Sequence, residues 1–429
     1  MPQRTDALPT HADSAAQLRL AATAPDLPVS RFPEFFFLLT VCAITAIRIA
    51  EGHANFAHHP GSDWGSSDWM INNSAGFVRR GLGGAAISLL MRFTGLGFFP
   101  VWITLTTTVF LLLCAWLLRI SWHLRGPAVW RFALLFNPLL LLSYCVSGMF
   151  LRKDMLAVLA TLLNVLLGHY ILRRAIASTS ARAALALLPL SAAAGSALIL
   201  ALLHEGVFLF IWLPLNVLLL AWILARLRFN RPAVALLLAI SFAPALFAVA
   251  AEALHHGNAQ TAQTICQSWR ASLPIDCTPG PGFPPAFDAL SWRVSRGIAI
   301  ALQYAWTFPI ALAIYALAGG VIVVAIRALI PSARLEHLIV LLVLPLTASL
   351  PLFLLGMDWG RWLSLLAINA LMPMLSNRLR PALYDCMPSA LRTSVNHSIA
   401  PPVARALSAL RRAIERHPIR SCAAMFCLP

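Results

Sequence analysis

Ten windows of mostly apolar residues recur along the chain, at 35–50, 98–118, 129–150, 154–172, 183–203, 206–225, 232–253, 297–326, 335–357 and 362–377. A hydrocarbon layer about 30 Å thick is crossed by a helix of about 20 such residues, and within it every backbone N–H and C=O needs a partner inside the protein. Repetition at this length points to one architecture, a bundle of membrane-crossing helices. Composition agrees: 59% of the 429 residues are hydrophobic and 11% are charged, where soluble domains carry about a quarter charged residues. The sequence therefore reads as an all-α polytopic membrane protein with about ten transmembrane helices. The first and last windows are short, and 297–326 is long enough to hold a broken or re-entrant helix at Pro309.

Residues 1–34 mix both charge signs with Pro and Ala and lack the apolar core of a signal peptide. A disordered cytoplasmic tail is expected there, followed by a transmembrane domain over 35–377 and a basic cytoplasmic tail over 378–429. Within that last tail, 402–416 has the pattern of a basic amphipathic helix on anionic lipid. The net charge of +16 is explained by positive-inside topology and contact with membrane lipids rather than by nucleic acid. Placing both termini inside puts Arg119, Arg125, Arg173, Arg226, Arg327 and Arg334 on the cytoplasmic side. The same choice sends five polar stretches outward: 51–84, Arg152-Lys153-Asp154, His204-Glu205, 254–296 and Asp358–Arg361.

The first of these carries the densest chemistry. Asp63-Trp64 and Asp68-Trp69 are followed by Arg79-Arg80 in a Gly-rich run. Asp63 and Asp68 are candidate catalytic carboxylates, because a sugar hydroxyl is a poor nucleophile and needs a base within hydrogen-bond reach. They also suit helix capping. Trp64 and Trp69 suit either a sugar-stacking platform or an interfacial belt. Guanidinium forks match phosphate oxygens, so Arg79 and Arg80 are candidate anion ligands. Residues 84–97, with Arg92 in the middle, are too short to span and read as an interfacial helix, so the outward loops become 51–97 and 254–296.

The other stretches add to this set. Lys153 is the only lysine among 32 Lys and Arg residues, and with Arg152 it is a candidate phosphate contact or a partner of Asp154. Ionisable residues near membrane depth are costly unless paired or hydrated, which marks Glu205 as an alternative base and His204 as a proton donor. Asp358 and Arg361, three apart, form either a helix-face pair or part of an anion pocket. Cys266 and Cys277 are a candidate disulfide, and the remaining six cysteines are expected as thiols. No Gly-rich phosphate loop, metal-ligand spacing or internal repeat is present, and Asn137-Pro138 is expected to kink the third window.

The GFVRRGLGG run at 76–84, the RKD at 152–154, the HE at 204–205 and the DWGRW at 358–362 resemble those of bacterial multi-pass surface-polysaccharide membrane proteins, and the layout is similar to GT-C-type glycosyltransferases and polymerases. The resemblance implies a site in the bacterial inner membrane, and a polyprenyl-phosphate-linked sugar as donor, passed to an acceptor glycan or lipid. It further implies that Asp63 or Asp68 positions the acceptor or a metal, making a divalent cation a candidate cofactor. The chain departs from the commonest GT-C pattern: its two acids are not adjacent, and no large soluble C-terminal domain follows the last window. The expected function is periplasmic-face glycosyl transfer, with a transporter or flippase of an anionic lipid or lipid-linked sugar as the alternative.

Overall fold

The structure is a computed structural model and describes residues 30–173, 179–255, 257–280, 282–292, 294–355, 358–377, 379–385 and 389–416. Among these residues the chain is helical throughout, at 81% helix with no strand. Seven helices are long and apolar enough to cross a membrane: α1 (Phe32–His58), α4 (Phe98–His123), α8 (Thr179–Leu203, apolar over Ala184–Leu203), α9 (Val207–Arg226), α10 (Arg231–Leu254), α14 (Ala305–Leu329) and α15 (Leu335–Leu355). Between them lie short helices α2 (Trp64–Met70), α3 (Gly81–Thr94), α5 (Ala128–Leu135), α6 (Leu141–Val146) and α7 (Met155–Arg173). Further on lie α11 (Ala259–Trp269), α12 (Pro285–Leu290), α13 (Val294–Gln303), α16 (Trp359–Met374), α17 (Leu379–Asp385) and α18 (Ala400–Arg416).

Four apolar windows are not single continuous crossing helices. The 129–150 window is divided into α5 and α6 at Asn137-Pro138, where Asn137 donates from Nδ2 to the Ala318 carbonyl at 2.9 Å and its Oδ1 accepts from Leu139 N at 3.0 Å. The expected kink is a full break, because this side chain takes over backbone pairing that the proline interrupts. The 154–172 and 362–377 windows form the shorter α7 and α16. The 297–326 window breaks as well, between α13 and a 3₁₀ turn at Ala305–Thr307, with Pro309 seated in the first turn of the next helix.

Two expected boundaries move. Helix α1 begins at Phe32, inside the expected 1–34 tail, because Glu34 is buried against Arg131 (Nε to Oε1 3.4 Å) and accepts from Ser121 Oγ at 2.7 Å. The expected tail from 378 is docked at its start, where Leu379 and Arg380 are buried. Helix α18 covers the expected amphipathic segment and leaves most of its residues exposed. The disordered-tail expectation for 1–29 and the thiols of Cys386, Cys422 and Cys427 lie outside the described residues; Cys42, Cys114 and Cys145 are free.

The bundle has two distinct ends. Helices α1 and α4 run antiparallel: Phe56 and Phe98 stack at 5.5 Å at one end, and Arg31 donates to the Trp122 carbonyl at 2.6 Å at the other. The first end also receives residues 61–84, 257–280 and 282–292, packed into their own core around Trp69, Trp102, Trp269 and Phe287. Trp269 Nε1 donates to the Met70 carbonyl at 2.7 Å, and the Trp69 and Trp102 indoles both donate to the Leu151 carbonyl, at 2.9 and 3.1 Å. Three buried indole N–H groups thus find backbone partners and fix the loops against the helix ends. A disulfide joins Cys266 to Cys277 across a Cα separation of 5.7 Å.

Candidate functional site

At this loop end, charged side chains from four of the five polar stretches, 51–84, 152–154, 204–205 and 358–361, form one network with Glu252 from the end of α10. Its hub is Arg80, the residue before α3, held in the left-handed region at φ 64°. Such backbone costs a non-glycine residue about 1–3 kcal/mol and persists where surroundings over-determine it. Three other segments supply that determination. The Arg80 side chain forks onto Glu205, Nε to Oε2 and Nη2 to Oε1 at 3.1 Å each; Lys153 Nζ donates to the Arg80 carbonyl at 3.2 Å; and the Arg80 N–H donates to Glu252 Oε1 at 3.3 Å.

Lys153 continues the network. Its fully buried ammonium lies 3.7 Å from Asp68 Oδ1 and 5.8 Å above the Trp69 ring. The glycine run explains how it fits: a Cβ on Gly83 would stand 2.6 Å from Lys153 Cε. A bare backbone at α3 is therefore the channel through which the lysine stem passes. Burial holds this ammonium below the usual lysine range, with the Asp68 carboxylate opposing the shift. Glu205 shows the reverse balance: burial raises its affinity for the proton, but the Arg80 guanidinium outweighs burial and holds it at about 2.

Asp154 anchors the second half. Arg361 Nη1 donates to its Oδ2 at 2.8 Å, Arg152 Nε stands 3.7 Å from the same oxygen, and His204 Nε2 lies 4.0 Å from Oδ1. Arg361 also donates to Asp358 Oδ2 at 2.6 Å, so the helix-face pair and the wider cluster coexist. Tyr144 donates to the Arg361 carbonyl at 2.9 Å. Helix α9 starts directly after His204-Glu205 with a π-helical stretch, Val207–Trp212, of the kind that accompanies functional sites.

Several buried polar atoms in this network lack a hydrogen-bond partner in the protein: Asp68 Oδ1, Glu252 Oε2, Arg152 Nε, Arg361 Nε and His204 Nδ1. Donors and acceptors left over side by side are rare in a purely structural ion cluster. They give the site unused capacity for both a hydroxyl and an anion.

The candidate residues divide on this geometry. Asp68, Arg80, Arg152, Lys153, His204, Glu205, Asp358 and Arg361 belong to the network. Asp63 is exposed and caps α2, accepting from Ser66 N at 2.8 Å and from Ser66 Oγ, so its carboxylate is occupied outside the network. Arg79 turns instead to the Ala289 carbonyl, tying the 61–84 segment to the one that carries α11 and α12. Trp69 is 2% exposed and is no stacking platform, because its indole is consumed in packing; Trp64 is half-buried, 6.4 Å from Trp292. Glu252 and Tyr144 were not singled out from the sequence. A lone acid in the last turn of an apolar helix is the signal that identifies Glu252.

Comparison with protein-family models, curated proteins and solved structures finds no match. Among the described residues no group of three His, Cys, Asp or Glu is arranged to hold a metal ion. The network's carboxylates face guanidinium and ammonium groups, a donor set that does not fit a divalent cation as it stands.

Proposed function

We propose that this protein is a membrane glycosyltransferase that takes a sugar from a polyprenyl-phosphate-linked donor and passes it to an acceptor glycan or lipid. It acts at the periplasmic face of a bacterial inner membrane, with about ten membrane passages and both termini inside. The observation that carries this reading is the half-satisfied network, in which Asp68 Oδ1 faces the Lys153 ammonium at 3.7 Å without a hydrogen bond and Arg152 and Arg361 each keep an Nε with no hydrogen-bond partner. Positive residues gathered at the opposite end, including Arg31, Arg131 and Arg334, support the orientation.

Chemically, Asp68 is the base. It withdraws the proton of the acceptor hydroxyl as that oxygen attacks the anomeric carbon. The bond from that carbon to the donor's phosphate oxygen breaks, and the electron pair leaves with the polyprenyl phosphate. Lys153, Arg80, Arg152 and Arg361 stabilise the charge on the departing phosphate, in a site where burial strengthens each contact. His204 and Glu205 line the polar wall, with Glu205 holding Arg80 in place. Arg79 acts through the loops and is a positioning residue.

The rival reading, a flippase for the same lipid-linked sugar, predicts movement without bond cleavage. Proteoliposomes loaded with a polyprenyl-phosphate sugar separate the two. Release of free polyprenyl phosphate with acceptor present supports transfer; relocation of intact donor between leaflets supports the rival.

A further inference from the structure

A second polar site lies at the other end of the bundle. Helix α15 leads from Leu335 to the loop end over 21 residues, about 30 Å at 1.5 Å per residue, and α16 returns to Asn377. Where that hairpin starts and finishes, a cavity of about 480 Å³ is lined by Arg334, His337, Asn377, Arg380, Tyr384 and Arg392, among others. None of these residues takes part in the Arg80 network.

Arg380 forms its floor. It is 1% exposed, donates from Nη1 to the Met374 carbonyl at 2.8 Å and from Nη2 to Asn377 Oδ1 at 3.0 Å, and its buried Nε has no hydrogen-bond partner. A buried guanidinium with an unused N–H is costly unless something accepts from it. Arg334 stands at the rim, 73% exposed at its side chain and only loosely associated with Glu336 at 3.9 Å. His337 packs against the Tyr384 ring at 4.5 Å, closing one wall. Burial pushes the Arg380 guanidinium below its usual range, a penalty that a bound anion offsets.

We propose that this cavity binds a phosphate group, held by the Arg380 Nε at its floor and the Arg334 guanidinium at its rim. Phosphate fits better than a carboxylate, because tetrahedral oxygens satisfy converging guanidinium forks from several directions. The volume exceeds what phosphate alone fills and leaves room for the rest of a headgroup. Two sources share this chemistry, an anionic lipid headgroup reached from the bilayer and a soluble phosphate reached from the aqueous side.

The full-length protein, purified in neutral detergent, is tested by thermal unfolding and native mass spectrometry. The probes are inorganic phosphate and mixed micelles of phosphatidic acid in phosphatidylcholine, with phosphatidylcholine alone as the blank. A rise in the unfolding midpoint with phosphatidic acid only identifies a lipid headgroup; a rise with both identifies a phosphate site open to water. Arg334→Gln and Arg380→Gln are each expected to weaken binding at least tenfold, while Arg405→Gln on α18 leaves it unchanged. If Arg380→Gln fails to fold, Arg334→Gln alone decides. The proposal is overturned if neither probe shifts the midpoint, if Arg334→Gln binds like wild type, or if Arg405→Gln loses as much as Arg334→Gln.

Discussion

Arg80 and Glu205, 125 positions apart in the chain, meet fork to fork with both N-to-O distances at 3.1 Å. Two donors on a planar guanidinium matched to two carboxylate oxygens fix both angle and distance, which a lysine ammonium cannot do. The same arginine offers its carbonyl to Lys153 and its N–H to Glu252. The segment before α3 is therefore positioned by charge at three points rather than by apolar packing alone.

The first prediction concerns that pair. Arg80→Gln and Arg80→Lys are both expected to lower transfer about 10²-fold. In a double-mutant cycle with Glu205→Gln, the coupling measured by thermal unfolding is expected at about 1–3 kcal/mol. Additive single effects would show that the fork carries no energy.

Acid stability reports on Glu205 separately. Its folded value of about 2 lies below the ordinary 4.5, so ionised Glu205 stabilises the fold above pH 4.5. That contribution is lost as the pH falls from 4.5 towards 2, by an amount on the order of 3 kcal/mol. Unfolding midpoints of the wild type and Glu205→Gln in detergent should converge over that interval and stay parallel above it. A constant offset down to pH 2 would contradict the assignment.

Asp63 and Asp68 are expected to behave oppositely despite their matching Asp-Trp contexts. Asp63→Ala removes a helix cap and costs about 1 kcal/mol of stability while transfer continues. Asp68→Asn keeps the shape next to Lys153 and is expected to lower transfer at least 10²-fold. Parallel measurement of unfolding midpoint and turnover distinguishes the two roles.

The disulfide makes a further prediction. Cys266 and Cys277 are both buried in the loop-end core, so replacing either with Ser is expected to cost about 2–3 kcal/mol. Limited trypsin digestion should then cut at Arg270, which is exposed, faster in the variant than in the oxidised wild type.

Much of this arrangement was legible in the sequence, because membrane helices announce themselves by length and apolarity, and charged residues between them are too costly to be incidental. The polar stretches at 61–84, 152–154, 204–205 and 358–361 were readable on that ground. What pattern alone left open was pairing. Nothing local distinguishes Asp63 from Asp68; their different fates arise because α2 begins at one and turns the other towards Lys153. Trp69 looked like a platform because its sequence neighbours are polar, but its indole is spent on a carbonyl 82 positions away. Glu252 was hidden by the apolar residues around it, and the break at Asn137-Pro138 depends on a partner carbonyl in α14.

The measurement that bears most directly on the account is release of free polyprenyl phosphate from a lipid-linked sugar by the purified, reconstituted protein, for the wild type and for Asp68→Asn and Arg361→Gln. The account predicts acceptor-dependent release by the wild type and at least a 10²-fold loss in both variants, with normal folding of Asp68→Asn. Donor that crosses the bilayer intact with no release, or variants that release as fast as the wild type, would contradict it.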